Sequence, residues 1–123
     1  MQTLFADTVN ARKRTFDNDY DTLCGVDDQF GDTCSRAMFW WLRTLAGSRN
    51  FGVTIDGTHR SAMVPFADML NHAHPADVSW GFDAAHDAFC MRATRDIACG
   101  APVTDSYGVK APERMWLYYG FGG

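Results

Sequence analysis

Three things that advertise function in other proteins are scarce in this sequence, and each shortage removes a class of reading. Its four cysteines, Cys24, Cys34, Cys90 and Cys99, form neither a CxxC nor a CxC pair. That spacing argues against a thiolate zinc site, and it suits reduced, partly buried thiols in an intracellular protein better than two disulfides. Basic residues are few: 11 Lys and Arg stand against 15 Asp and Glu, a net charge of −4, and only Arg12, Lys13 and Arg14 form a run. Sequence-independent grip on nucleic acid needs a dense cationic face, so no nucleic-acid partner is expected, and the short run reads as a solvated helix end. Long apolar stretches are missing too. The N-terminal segment has no apolar core of a signal peptide, and the most apolar run, Ala37 to Leu42, is far too short to cross a bilayer. The expectation is a soluble intracellular protein without a membrane partner, cytoplasmic or nuclear, with an organelle left open.

What is present supports a packed fold. The chain has 123 residues, 46% of them hydrophobic and 14% aromatic, which suffices for one core. Leu4 to Phe16 has the apolar spacing of a short amphipathic helix. Asp17 to Asp32 carries six Asp and no Lys or Arg, and reads as an exposed connector with at most a turn of helix. Thr33 to Ala46 is the clearest helix: Asp32 or Thr33 can cap it, Met38, Trp41, Leu42 and Leu45 form one buried stripe, and Gly47 suits the position just past its end. Asp56-Gly57 suits a tight reversal. Val78 to Phe82 alternates as a strand should, and Ala88 to Thr94 is its returning partner. "APERMWLYYG" reads as a helix with Pro112 in its first turn and Gly120 as terminator. Helices first and short antiparallel strands later make an α+β domain.

One stretch fits neither a core segment nor a plain loop. "MVPFADMLNHAHP", residues 63 to 75, sets an Asp, an Asn, two His and two Pro among apolar residues. Asp68, His72 and His74 could offer a carboxylate and two imidazoles to a metal, although Pro75 suggests a turn and no further ligand stands nearby. Alternatively Asn71 and His72 close a turn by side-chain hydrogen bonds, with Asp68 capping one helical turn. The residues alone leave both open.

A wider comparison of motifs gives a third reading. "SRNF" at 48–51, "VPFADMLNH" at 64–72, "RDIACG" at 95–100 with "SYG" at 106–108, and "LYYGF" at 117–121 occur in that order. Together they resemble the C-terminal half of a SET domain. The branch most resembled contains the RuBisCO large-subunit lysine methyltransferase and the actin histidine methyltransferase. The resemblance implies a SET β-fold of short strands with inserted helices, in which the Asn-His segment and the tyrosine segment cross as a pseudoknot. Residues 1–60 would then be the inserted helical region and 61–123 the C-terminal SET core.

The resemblance also implies an activity: methyl transfer from S-adenosylmethionine to a lysine of a protein substrate. Asn71 would meet the amino-acid end of the cofactor, His72 its adenine edge through the backbone, and Asp68 would support that turn. Arg49 would hold the cofactor carboxylate, where bidentate pairing favours Arg. Tyr107 would be the catalytic tyrosine, acting by position, and Phe121 the aromatic near the adenine. Phe51 would line the acceptor channel, and its apolar ring favours lysine over the histidine-directed alternative. No metal is implied. Asp105 stands where the family more often has an apolar residue. The family's glycine-rich cofactor turn and its C-terminal helical substrate domain have no counterpart here, so the chain is expected to be a SET fragment that binds cofactor poorly by itself. A catalytically inactive, SET-derived binding module is the other class of function the same residues allow.

Overall fold

The computed structural model describes residues 2–122, without the side chains of residues 2–4. It is α+β: helices α1 (Gln2–Val26), α2 (Phe30–Thr33), α3 (Arg36–Arg49) and α4 (Pro112–Tyr119), and strands β1 (Asn50–Ile55), β2 (Thr58–Met63), β3 (Asn71–His72), β4 (Val78–Asp83), β5 (Ala88–Ala93) and β6 (Thr104–Asp105). The chain divides into two compact units. One comprises Met1–Ser48 with Ala111–Gly123, the other Arg49–Lys110. Residue 60, where the sequence suggested a division, lies inside β2. No helix among the described residues is long and apolar enough to cross a membrane.

In the helical unit, the acidic connector expected from Asp17 is helix instead, because α1 continues unbroken to Val26. The reason is charge pairing across to α3. Arg36 meets Asp17 at 3.0 Å and Asp21 at 2.6 Å, and Arg43 meets Asp19 at 2.6 Å. The Trp40 indole N–H also donates to Asp17, at 3.2 Å. Between these pairs Tyr20, Cys34 and Phe39 form a buried cluster with Cys24, Phe30 and Trp40 around it. The Tyr20 hydroxyl donates to the Cys34 carbonyl at 2.9 Å, so the buried phenol is satisfied.

The same pairing overturns the expected stripe on α3. Met38, Trp41 and Leu42 are 51%, 62% and 43% exposed, whereas Phe39 is buried. The helix is apolar on two sides, and Arg36 and Arg43 can reach α1 only if Phe39 and Trp40 turn inward with them. The cap differs as well: the Ser35 hydroxyl accepts the Met38 N–H at 3.2 Å, one turn later than Asp32 or Thr33 would allow. Gly47 lies within the helix, which runs on to Arg49. α4 follows the sequence reading, with Pro112 in its first turn and Gly120 in the left-handed conformation at its end.

The second unit holds three two-stranded sheets. β1 and β2 form an antiparallel hairpin turning at Asp56 and Gly57, both at positive φ (49° and 72°), as a type I′ reversal requires. β4 and β5 pair antiparallel with Val78 opposite Ala93 and Asp83 opposite Ala88. β3 and β6 pair in parallel. The core of this unit is Phe51, Val53 and Ala67, with Val64, Trp80, Phe89 and Met91 packed on it. Phe51 meets Trp80 edge-on at 5.0 Å and Phe89 at 5.1 Å between centroids. Truncation of Phe51 to alanine is expected to lower the stability of this unit by about 3–5 kcal/mol. Denaturant unfolding of Phe51→Ala followed by the fluorescence of Trp80 measures it; a loss below about 1 kcal/mol would deny the ring its place in the core.

Candidate functional site

The site grows from the shortest strands. β3 is only Asn71 and His72, and β6 only Thr104 and Asp105, aligned Asn71 to Thr104 and His72 to Asp105. The ladder is extended by the Ala73 N–H to the Asp105 carbonyl at 2.9 Å and the Asp77 N–H to the Thr104 carbonyl at 3.0 Å. Two residues a strand cannot hold themselves together, and a buried carboxylate supplies the anchor. Asp77 is 4% exposed. Its Oδ2 accepts the Thr104 backbone N–H at 2.9 Å and the Thr104 hydroxyl at 2.6 Å. Its Oδ1 accepts Arg95 Nε at 2.6 Å and pairs with Arg95 Nη2. Its carbonyl accepts both the N–H (2.8 Å) and the hydroxyl (2.9 Å) of Thr94. The Thr104 and Arg95 hydrogen bonds hold the Asp77 carboxyl below the usual carboxylate range, against the opposing effect of burial.

That pairing delivers Tyr107. Its backbone N–H donates to His72 Nδ1 at 3.1 Å, its hydroxyl donates to the Leu70 carbonyl at 2.7 Å, and its carbonyl accepts from Lys110 Nζ. The His72 and Tyr107 rings lie 5.2 Å apart, tilted by 30°. Asn71, next to Leu70, carries an exposed side chain. Asp105 is 2% exposed, and its carboxylate accepts the Ser106 N–H at 2.6 Å. Burial pushes the Asp105 carboxyl up, while hydrogen bonds from Ser106 and the Trp80 side chain and the proximity of His72 pull the other way.

Arg49 and Asp68 also meet. Arg49 Nη1 donates to the Asp68 carbonyl at 2.7 Å and stands 3.7 Å from its carboxylate. Asp68 caps nothing: it sits within the 3₁₀ turn Ala67–Met69, which Phe66 leads into at φ 70° without any side-chain cap. The strained Phe66, at φ 70° and ψ −44°, sets the sharp corner that turns the chain from Val64 toward β3.

The structure therefore brings Arg49 to Asp68, and His72 to Tyr107, in one unit, with Asn71 beside Leu70, the residue that takes the Tyr107 hydroxyl. Phe51 lies in the core of that unit at 7% exposure, so its apolar character answers first to Trp80 and Phe89. Phe121 belongs to the helical unit, 38% exposed, with its ring 6.2 Å from that of Tyr119. Among the described residues no three His, Cys, Asp or Glu converge as metal ligands. All four cysteines are free thiols. Sequence reasoning missed Asp77, Thr104, Lys110 and the Leu70 carbonyl. Arg95 stood in a quoted motif, but nothing in the spacing tied it to an aspartate 18 residues earlier. No family model and no curated protein matches this chain.

The two buried carboxylates act on stability with opposite signs. Asp77 is depressed, so its contribution is complete above the ordinary value of 3.8 and is lost as pH falls through its lower folded value. Asp105 is raised, so the folded state gains stability as pH falls through its folded value toward 3.8, and gains nothing further below. Asp105→Asn is expected to flatten the upper limb of a melting-temperature profile against pH. Asp77→Asn is expected to lower the melting temperature at neutral pH by more than about 5 °C and to blunt the acid limb. Unchanged profiles in both variants would contradict these assignments.

Proposed function

We propose that this chain carries the cofactor and tyrosine segments of a SET-type protein-lysine N-methyltransferase using S-adenosylmethionine. The observation that supports the reading most is the parallel pairing of β3 with β6. Segments more than 30 residues apart run side by side, so that the Tyr107 hydroxyl reaches the carbonyl preceding Asn71. The reading is supported by the His72 imidazole against Tyr107 and by Asn71 standing next to the Leu70 carbonyl that takes the Tyr107 hydroxyl.

The residues present fit the amino-acid end of the cofactor. The exposed Asn71 amide offers both a donor and an acceptor, and Arg49 offers a guanidinium whose Nη1 is already committed to Asp68. When bound, S-adenosylmethionine supplies a methyl group on a positively charged sulfonium. Tyr107, its proton committed to Leu70, presents a phenol oxygen as acceptor and orients an incoming amine without serving as a strong base. A lysine amine has a reference pKa of about 10.4 and attacks only when neutral, so the residues around it contribute by orientation and by disfavouring the ammonium. Alignment of this kind is worth up to roughly 7–11 kcal/mol. In the transfer the neutral amine's lone pair would bond to the methyl carbon as the carbon–sulfur electron pair leaves on sulfur, giving a neutral thioether and a methylammonium that would release one proton to water.

The test is an amide-shift titration of the ¹⁵N-labelled chain with S-adenosylhomocysteine at millimolar concentration, followed by transfer of labelled methyl to lysine-containing proteins. Shifts centred on Asn71, His72 and Tyr107, abolished in Asn71→Ala, are expected. Tyr107→Phe should lower incorporation into lysine by at least about tenfold. Shifts elsewhere in the chain, or none, would overturn the reading. Shifts at the site with no transfer would instead identify a binding module without catalysis.

A further inference from the structure

Tyr107 is gripped at both ends by one short segment. Its N–H is bound by the side chain of His72 at 3.1 Å and its hydroxyl by the carbonyl of Leu70 at 2.7 Å. The two anchors, a side chain and a main-chain carbonyl, stand two residues apart in the chain. The distance between the amide and the hydroxyl of a tyrosine depends on its χ1 rotamer, so fixing both ends admits few rotamers. The imidazole also lies against the phenol ring, 5.2 Å between centroids and tilted by only 30°, which limits rotation about the second torsion.

We propose that His72 is the positioning residue for Tyr107, through its side chain, by accepting the Tyr107 N–H at Nδ1 and by backing the phenol ring. His72 stands opposite Asp105 in the β3–β6 ladder, where the Asp105 carbonyl is taken by the Ala73 N–H, and the imidazole makes a contact of its own. It works only with Nδ1 unprotonated, which fixes the neutral ring as the Nε2–H tautomer. The inference rests on the reading of Tyr107 as the phenol that orients the acceptor, and it assigns that reading's missing part, the group that holds the phenol still.

The experiment uses the chain labelled with ¹⁵N in histidine and backbone, in mildly alkaline buffer. Long-range proton–nitrogen spectra identify the His72 tautomer without any substitution, and amide hydrogen exchange reads the Tyr107 N–H. The Nε2–H tautomer is expected. His72→Leu is expected to speed Tyr107 exchange by about tenfold while leaving Phe51 and Val53 unchanged. His72→Asn, whose Oδ1 can stand where Nδ1 stood, should restore the native rate to within about threefold. An Nδ1–H tautomer in the native chain overturns the proposal even if the leucine variant does not fold. Native exchange at Tyr107 in a folded His72→Leu variant also overturns it. These readouts contain no cofactor, so their failure is separate from a failure of the S-adenosylhomocysteine titration.

Discussion

A single carboxylate joins the parts of the second unit. Asp77 stands immediately before β4, Thr94 and Arg95 immediately after β5, and Thr104 opens β6. Every polar atom of Asp77, main chain and side chain, is hydrogen-bonded to one of those three residues. The β4–β5 hairpin is thereby tied to the β3–β6 pair, and the start of β6 is fixed by two bonds to one oxygen. Because β6 is two residues long, its register has no other guarantor. A slip of one residue would place Thr104 opposite His72 and turn Asp105 and Tyr107 to the opposite faces. The charge of Asp77 is tolerable in that position because Arg95 approaches from the solvent side, its side chain 61% exposed while that of Asp77 is 6%. The pair is thus a buried acceptor with an exposed cation, an arrangement that avoids desolvating both partners.

Charge also decides the helical unit, by a different route. Arg36 and Arg43 are seven positions apart, two turns of α3, and Asp17, Asp19 and Asp21 run along α1 to receive them. Exposed pairs of this sort add little stability each. Their effect here is orientation: α3 has apolar residues on two faces, and the pairs select Phe39 and Trp40 as the inner one. Arg36 and Arg43 further lie over Tyr20 and Phe16, 4.5 Å and 5.2 Å from the ring centroids, so their stems and cations cover the core they orient. Trp41, Leu45, Trp116 and Leu117 are left lining an open groove of about 260 Å³ on the other face of the unit.

What could be read from the sequence follows the range of the interactions. The type I′ reversal at Asp56-Gly57, the Val78 and Ala88 strands, and the Pro112-to-Gly120 helix each depend on neighbours a few positions away, and all are present. The continuation of α1 through an acidic run depended on arginines 15 to 24 positions distant, which no local propensity encodes. The stripe on α3 failed for the same reason, since periodicity identifies apolar faces but cannot rank two of them. At the site, the sequence marked Arg49, Asp68, Asn71, His72 and Tyr107; in one unit Arg49 meets Asp68 and His72 meets Tyr107, with Asn71 next to Leu70. It could not mark Leu70, whose contribution is a carbonyl, or Asp77, whose partners come from two later segments.

Phe51 and Asp105 were singled out separately, one as a channel wall and the other as a departure from an apolar preference, and the structure connects them through Trp80. The indole packs edge-on against Phe51 and stacks on Phe89 at 5.8 Å, and its side chain is one of the groups that hold the Asp105 carboxyl down against burial. The ring thus belongs to the core and its polar edge to the site. An apolar residue in place of Asp105 would fill the same space but take away the acceptor of the Ser106 N–H. The acid is retained at the cost of burial that raises its pKa, and it lies directly opposite His72 in the ladder. Phe51, Trp80, Asp105, His72 and Tyr107 thus lead in order from the core of this unit to the phenol.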